Sequence, residues 1–265
     1  MNDTLAAIIL GLVQGLTEFL PVSSTAHLIL VSDLLKLDPK RFGLSFDVAL
    51  HLGTALAVLL YFARTWLGLL ADVLARHWRL PLLIVVASVP GAIAGALLES
   101  TVERTLRGPA LIAVGLVLGS IVFVIAERVA TRRRRWESLG PGDALFMGLA
   151  QALALLPGVS RSGITISAGL TRGLERADAT RFSFLMATPI ILGAGAKTLL
   201  DARKLGDLGG HLDVVLIGFA VAFASGLAAV AFMVRFLRTH SLGWFVGYRL
   251  LLAAAILAGI AAGVL

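Results

Sequence analysis

The chain has 265 residues, of which 58% are hydrophobic and 15% are charged, and its mean hydropathy is +0.93. A soluble domain is about half apolar and about a quarter charged, so this composition excludes an ordinary soluble protein. The absence of cysteine excludes disulfides, a thiolate nucleophile and cysteine-bound metals. The net charge of +7 does not indicate nucleic-acid binding, because the basic residues cluster between apolar segments, where they hold a membrane protein to anionic lipids.

The first apolar region, residues 4–37, is broken near its middle by the polar stretch Leu-Pro-Val-Ser-Ser-Thr at 20–25. Each half is too short to span a bilayer comfortably. Irregular backbone at membrane depth is tolerated only inside the protein or beside a wet cavity. We therefore predict a re-entrant helical hairpin whose elbow points into the membrane interior.

Three predicted membrane spans follow, at 44–63, 80–98 and 108–126. Arginines at 64, 76 and 79 and at 128 and 132–135 lie two spans apart, which predicts that both connections are cytoplasmic. On this reading, 127–143 is a basic cytoplasmic linker, 100–107 lies outside, and the first hairpin enters from the outer side.

Residues 144–171 form a second broken region, with the elbow Pro-Gly-Val-Ser-Arg-Ser-Gly at 157–163. We predict a second re-entrant hairpin here, followed by spans at 182–196, 214–234 and 250–265. The last span extends back to 241 if Arg249 is buried in protein or snorkels. The loop 197–213 and both termini are predicted to lie outside.

The two halves resemble each other. Gly-Leu-Val-Gln-Gly-Leu at 11–16 matches Gly-Leu-Ala-Gln-Ala-Leu at 148–153, and Ser-Phe at 45–46 matches Ser-Phe at 183–184. We predict repeat one at about 1–130 and repeat two at about 141–265, within a single integral membrane domain, 1–265. One hairpin and three spans per half invert the second half relative to the first. The predicted fold is therefore an all-α polytopic membrane protein with an inverted-topology repeat, about six transmembrane helices and two re-entrant helical hairpins.

Polar residues gather at both elbows, where ionisable groups are costly and are therefore functional candidates. Gln14 and Glu18 share one helix face at spacing i, i+4. The other candidates follow Glu18 or occupy the second elbow: Ser23, Ser24, Thr25, His27, Ser160, Arg161, Ser162 and Thr165.

These residue types match the needs of phosphoryl transfer. Arg161 offers a planar fork of donors for phosphate, and the helix start behind the elbow favours anions. Glu18 can hold a divalent cation, Mg²⁺ or Ca²⁺, or act as a base. His27 can act as an acid, as a base or as the activator of a serine.

Structural interpretations remain open for each residue. Glu18 can be a structural carboxylate neutralised by Arg161, His27 can donate to a backbone carbonyl, and Gln14 can bridge helices. Any single serine or threonine can be a helix cap. Asp47 and His51 share a face of the next helix and are candidates for an indirect role.

The stretch Gln-Gly-Leu-Thr-Glu-Phe-Leu-Pro-Val-Ser-Ser-Thr-Ala-His at 14–27, together with Pro-Gly-Val-Ser-Arg-Ser-Gly-Ile-Thr at 157–165, closely resembles the undecaprenyl-diphosphate phosphatases of the BacA type. The resemblance covers essentially the whole chain. It departs from the family at two positions: Gln14 stands at a motif position that also admits glutamate, and Ala26 replaces a common glycine.

The resemblance implies hydrolysis of undecaprenyl diphosphate in the bacterial inner membrane, recycling of the lipid carrier for peptidoglycan synthesis, and bacitracin resistance. It implies a divalent cation, a site open to the outer side, Glu18 as the essential carboxylate, and Ser24 and His27 in nucleophilic or proton-transfer roles. Phosphate binding is implied for Ser160, Arg161 and Thr165.

Two other functional classes stay open at this point. A transporter or flippase for the lipid carrier would also use an inverted repeat, and a structural membrane scaffold is disfavoured by the polar clusters at two matching elbows. The expected partners are the polyprenyl diphosphate substrate and membrane lipids, without nucleic acid, and a homodimer is compatible with the sequence.

Overall fold

The computed structural model describes residues 2–200 and 211–264, and these ranges are almost entirely helical. They contain eleven α-helices: α1 (Asp3–Phe19), α2 (Ser24–Leu34), α3 (Leu44–Tyr61), α4 (Ala63–Leu74), α5 (Arg79–Thr105), α6 (Pro109–Val129), α7 (Pro141–Leu153), α8 (Arg161–Thr171), α9 (Arg176–Leu200), α10 (Leu212–Phe236) and α11 (Gly243–Ala261). A short 3₁₀ turn, Trp136–Ser138, lies between α6 and α7.

Five of these helices, α5, α6, α9, α10 and α11, are long and apolar enough to cross a membrane, and the bent pair α3–α4 makes up to six. The prediction of about six spans in an all-α polytopic protein is therefore confirmed. α11 begins at Gly243, so the longer version of the last span is the correct one. The predicted outer loop 197–213 lies largely outside the described residues.

Both predicted hairpins are broken at the expected elbows. α1 ends at Phe19 and α2 begins at Ser24, while α7 ends at Leu153 and α8 begins at Arg161. Ser23, which precedes α2, and Ser160, which precedes α8, both have a φ of 74°. Residues other than glycine rarely adopt this left-handed backbone conformation. The same strained backbone at two sequence-related elbows indicates a shared structural requirement.

The sequence predicted a loop around Arg64, but the structure has a helix there. This helix, α4, turns away from α3 by 74°. No glycine, proline or polar run marks the bend between α3 and α4, so the sequence contains no signal for it. The outer residues of α4, Leu67, Leu70 and Leu74, are exposed, as expected for a helix that lies against lipid.

The basic linker between α6 and α7 is docked on the second half of the chain. Arg134 forms an isolated β-bridge with Leu174 and an ion pair with Asp143 at 2.8 Å, and Arg172 also donates to Asp143, at 2.6 Å. Burial raises the pKa of Asp143, but the hydrogen bonds from Arg134, the Gly140 amide and Arg172 outweigh it and lower the pKa to about 2. The linker is therefore held by a carboxylate that stays ionised at neutral pH.

The helices of the two halves pack reciprocally. α1 packs along α10, and α7, its counterpart in the second half, packs along α5. α6 and α11 pack against each other, as do α3 and α9. This exchange brings both elbows to the centre of the molecule, and it is what two related halves would produce. The inverted relation and the repeat boundaries stay predictions.

Candidate functional site

The centre of the site is Glu18, near the end of α1, which is only 6% exposed. One of its carboxylate oxygens accepts hydrogen bonds from the amide of Gln14 at 3.0 Å and from the hydroxyl of Ser24 at 2.6 Å. The other oxygen is ion-paired with Arg161 from the second elbow. A buried carboxylate is tolerated because these donors satisfy it, and the pair joins the two hairpins.

A polar cavity of about 190 Å³ opens beside this cluster. α2 and α8 both begin at its wall, because their first residues, Ser24 and Arg161, line it. The positive ends of two helix dipoles and one guanidinium therefore face a single chamber, an arrangement that favours an anion such as phosphate. The lining residues are Glu18, Ser23, Ser24, Thr25, His51, Gly91, Gln151, Ala154, Leu155, Leu156, Ser160, Arg161 and Ile190.

The other predicted serines at the elbows have structural contacts. The hydroxyl of Ser23 accepts from the Gly158 amide at 3.2 Å, which ties the first elbow to the second. The hydroxyl of Ser160 caps α8 by accepting from the Gly163 amide at 3.4 Å. Both serines still line the chamber, but Ser24 is the serine whose hydroxyl contacts Glu18.

Two predicted binding residues, Ser162 and Thr165, lie behind the chamber rather than in its wall. Ser162 donates to the carbonyl of Leu20 at 3.3 Å and so links the elbows once more. Thr165 is fully buried and hydrogen-bonds the hydroxyl of Ser183 on α9 at 2.6 Å. Their contacts position the start of α8, and hence Arg161.

His27 is not brought to Glu18. Its Nδ1 lies 2.8 Å from the carbonyl oxygen of Ser23, and its Nε2 lies 2.6 Å from the hydroxyl of Tyr248 on α11. Since a carbonyl only accepts, Nδ1 carries the proton and Nε2 accepts from the tyrosine. His27 therefore braces the strained elbow residue from outside the chamber. Nothing in the sequence connects it with Tyr248, which is 221 residues away.

His51, which the sequence offered only for an indirect role, lies in the chamber wall. Its Nδ1 donates to the carbonyl of Asp47 at 2.8 Å, which leaves Nε2 facing Glu18 at 3.6 Å. The sequence signal for it was an ionisable residue inside an apolar span. Gln151 of α7 also lines the chamber, and its carbonyl oxygen is buried without a hydrogen-bond partner.

Arg249 of α11 is the largest fully buried side chain among the described residues and binds both elbows. It donates to the carbonyl of Pro21 in the first elbow at 3.1 Å and to that of Gly158 in the second at 2.9 Å. It also donates to Ser120 and lies over the ring of Phe123, 4.7 Å from its centre. A single cation thus fixes the two elbows and α6 in one arrangement.

We expect Arg249→Leu to destabilise the protein strongly, because it leaves several buried carbonyl groups without donors. A buried acceptor that loses its donor costs about 1–3 kcal/mol, so the loss at the carbonyls of Pro21 and Gly158 corresponds to a fall in Tm of roughly 4–24 °C at this chain length. Thermal unfolding in detergent measures it. Arg238→Ala on the exposed surface is the matched control, and an unchanged Tm in Arg249→Leu would contradict the role.

A second cavity of about 260 Å³ adjoins the polar chamber and shares part of its wall, including Thr25, His51 and Arg161. The rest of its lining is mostly apolar. The exceptions are Asp47 and Arg107, whose side chains form an ion pair at 3.5 Å. The site thus combines a polar chamber with an apolar vestibule.

The fold and the site define a polytopic membrane protein with a polar chamber enclosed between two broken helical hairpins. The chain belongs to the bacitracin resistance protein BacA family, whose sequence model matches residues 7–255. It is 44% identical to the undecaprenyl-diphosphatase of Rubrobacter xylanophilus over 97% of this chain and 98% of that protein. It is 47% identical to the undecaprenyl-diphosphatase of Desulforudis audaxviator, over 94% and 95%, and 46% identical to that of Moorella thermoacetica, over 96% and 97%.

Proposed function

We propose that the protein hydrolyses undecaprenyl diphosphate to undecaprenyl phosphate and inorganic phosphate. The observation that carries the proposal is the contact of Ser24 and Arg161 with one carboxylate, Glu18, at the wall of a chamber that faces two helix starts. Full-length relatives that are named undecaprenyl-diphosphatase support the substrate. The apolar vestibule beside the chamber suits the isoprenoid tail of such a lipid.

In the proposed mechanism, the terminal phosphate enters the chamber and replaces Glu18 as the partner of Arg161. The guanidinium then binds two phosphate oxygens. The dipoles of α2 and α8 stabilise the charge that develops on its oxygens. Arg161 and the two helix starts thereby orient the phosphorus for attack in line with the bridging oxygen.

The attacking group is the hydroxyl of Ser24. Its proton passes to the carboxylate of Glu18, with which it already shares a hydrogen bond of 2.6 Å. The new bond forms between the serine oxygen and the terminal phosphorus, while the bond from that phosphorus to the bridging oxygen breaks and undecaprenyl phosphate leaves. Water then attacks the phosphorus of the phosphoserine, the bond from that phosphorus to the serine oxygen breaks, the protonated Glu18 returns its proton to the serine oxygen, and inorganic phosphate is released.

We also propose a divalent cation, held by Glu18 in the chamber wall and by Gln14, which lies behind that wall. Within 2–200 and 211–264, no three His, Cys, Asp or Glu side chains come together as a metal site. However, the carbonyl oxygen of Gln14 is buried without a hydrogen-bond partner beside Glu18. Mg²⁺ is commonly held by one carboxylate together with substrate phosphates. Glu18 and Gln14 would hold Mg²⁺ or Ca²⁺, which would neutralise part of the diphosphate charge.

We further propose that the chamber opens to the periplasmic side of the bacterial inner membrane. Arg79, at the start of α5, donates to the linker carbonyl of Glu137 at 2.6 Å, and Arg107 follows the far end of the same helix. With the basic linker in the cytoplasm, the vestibule lies on the outer side. Activity there would recycle the carrier for peptidoglycan synthesis and remove the lipid that bacitracin sequesters.

The proposal is tested by measuring inorganic phosphate released from undecaprenyl diphosphate by the purified protein in detergent. We expect release that depends on added Mg²⁺ or Ca²⁺ and stops with a chelator. The accompanying lipid product should be undecaprenyl phosphate, identified by mass spectrometry. A folded protein that binds the lipid and releases no phosphate would contradict hydrolysis and favour transport of the carrier.

A further inference from the structure

The vestibule contains a second guanidinium, that of Arg107, in an otherwise apolar wall. The apolar part of the vestibule wall includes Leu28, Val48 and Ile191. Such a wall suits a hydrocarbon tail, but it gives no reason for an arginine that is about two-thirds buried. A charged group placed in an apolar recess is costly unless it has a partner there.

In the described structure, each of the two arginines of the site contacts a carboxylate. In the chamber, Arg161 is paired with Glu18, and in the vestibule, Arg107 is paired with Asp47 at 3.5 Å. That second distance is long for a charge-assisted hydrogen bond, whose usual length is about 2.7–2.9 Å. Arg107 therefore makes a loose contact that a stronger anion can replace.

We propose that Arg107 binds the lipid-linked phosphate of the substrate and exchanges Asp47 for it on binding. The inference rests on the proposed function. With the terminal phosphate on Arg161 in the chamber, the second phosphate lies one bridging oxygen away, toward the cavity that both arginines line. The tail then continues along the apolar wall. Each phosphate thus receives its own guanidinium, and Arg107 retains the product phosphate after hydrolysis.

The test measures direct binding, which is independent of turnover. The ligands are a polyprenyl methylene diphosphonate, which resists hydrolysis, and polyprenyl monophosphate, whose single phosphate is the lipid-linked one. We expect Arg107→Ala to weaken binding of both ligands by about 10–100-fold, the usual value of one hydrogen-bonded charge contact. Arg161→Ala should weaken binding of the diphosphonate and leave the affinity for the monophosphate within about 3-fold of the wild-type value. Arg107→Lys should restore part of the affinity, and the exposed Arg64→Ala is the control.

Unchanged binding of both ligands in Arg107→Ala would overturn the inference, as would a loss confined to the diphosphonate. A fall in kcat with an unchanged KM would also overturn it, because Arg107 would then act on the chemical step. The proposed function fails separately: a wild-type protein that binds both ligands and releases no phosphate refutes hydrolysis. In that case the same pair of affinities still decides whether Arg107 holds the lipid-linked phosphate.

Discussion

Arg161→Ala is expected to reduce kcat/KM for phosphate release by at least about 10³-fold, the lower end of the effect of an arginine that stabilises a phosphoryl transition state. The guanidinium lines the chamber and contacts Glu18. Its loss removes the two-pronged phosphate contact at the step where charge develops. Arg161→Lys keeps the charge without the planar fork and is expected to recover only a small part of the rate.

The single substitution also leaves Glu18 as a buried carboxylate without its cation, so its stability must be measured beside its activity. We expect Arg161→Ala to lower the Tm and the double variant Glu18→Gln, Arg161→Ala to restore most of it, because no unpaired charge remains. The double variant should stay inactive. Recovery of phosphate release in the double variant would make the pair a structural one and contradict the mechanism.

The sequence was sufficient to predict the hairpins and the residues at their elbows. The signals were strong because a polar run containing proline is costly inside an apolar segment, and because a similar run occurs in each half of the chain. Glu18, Ser24 and Arg161 come together for that reason: each lies at an elbow, and the structure brings both elbows to one centre.

Side-chain direction was not predictable in the same way. His27 lies three residues after Ser24, yet its ring turns to Tyr248 and is held there by hydrogen bonds to the tyrosine hydroxyl and to the carbonyl of Ser23. The role of Arg249 depends on carbonyl groups of two distant segments, and main-chain acceptors leave no residue-specific pattern in a sequence.

The vestibule escaped prediction because it belongs to no single motif. Arg107 comes from the connection after α5, Asp47 from α3 and Ile190 from α9. The sequence showed Arg107 only as a charge in an outer connection. A cavity formed between helices of both halves depends on the reciprocal packing, which hydropathy does not specify.

The identity of the nucleophile separates two mechanisms that the sequence left open, and the structure makes the choice testable. Ser23 and Ser160 use their hydroxyl groups in contacts between and within the elbows, whereas Ser24 donates to Glu18. We expect Ser24→Ala to lower kcat by about 10³-fold or more, because the covalent route is lost. Ser32→Ala, on the same helix, is the matched control and should retain the wild-type rate.

If water attacks directly, Ser24 contributes one hydrogen bond and Ser24→Ala should cost only about 10-fold. A single-turnover experiment with substrate labelled in the terminal phosphate distinguishes the two routes. The covalent route predicts an acid-stable label on the protein during turnover, located by peptide mapping at Ser24 and absent from Ser24→Ala. Its absence in a wild-type protein that completes the turnover would assign the attack to water. Glu18 would then be the base for that water, through the carboxylate oxygen that accepts hydrogen bonds from Gln14 and Ser24.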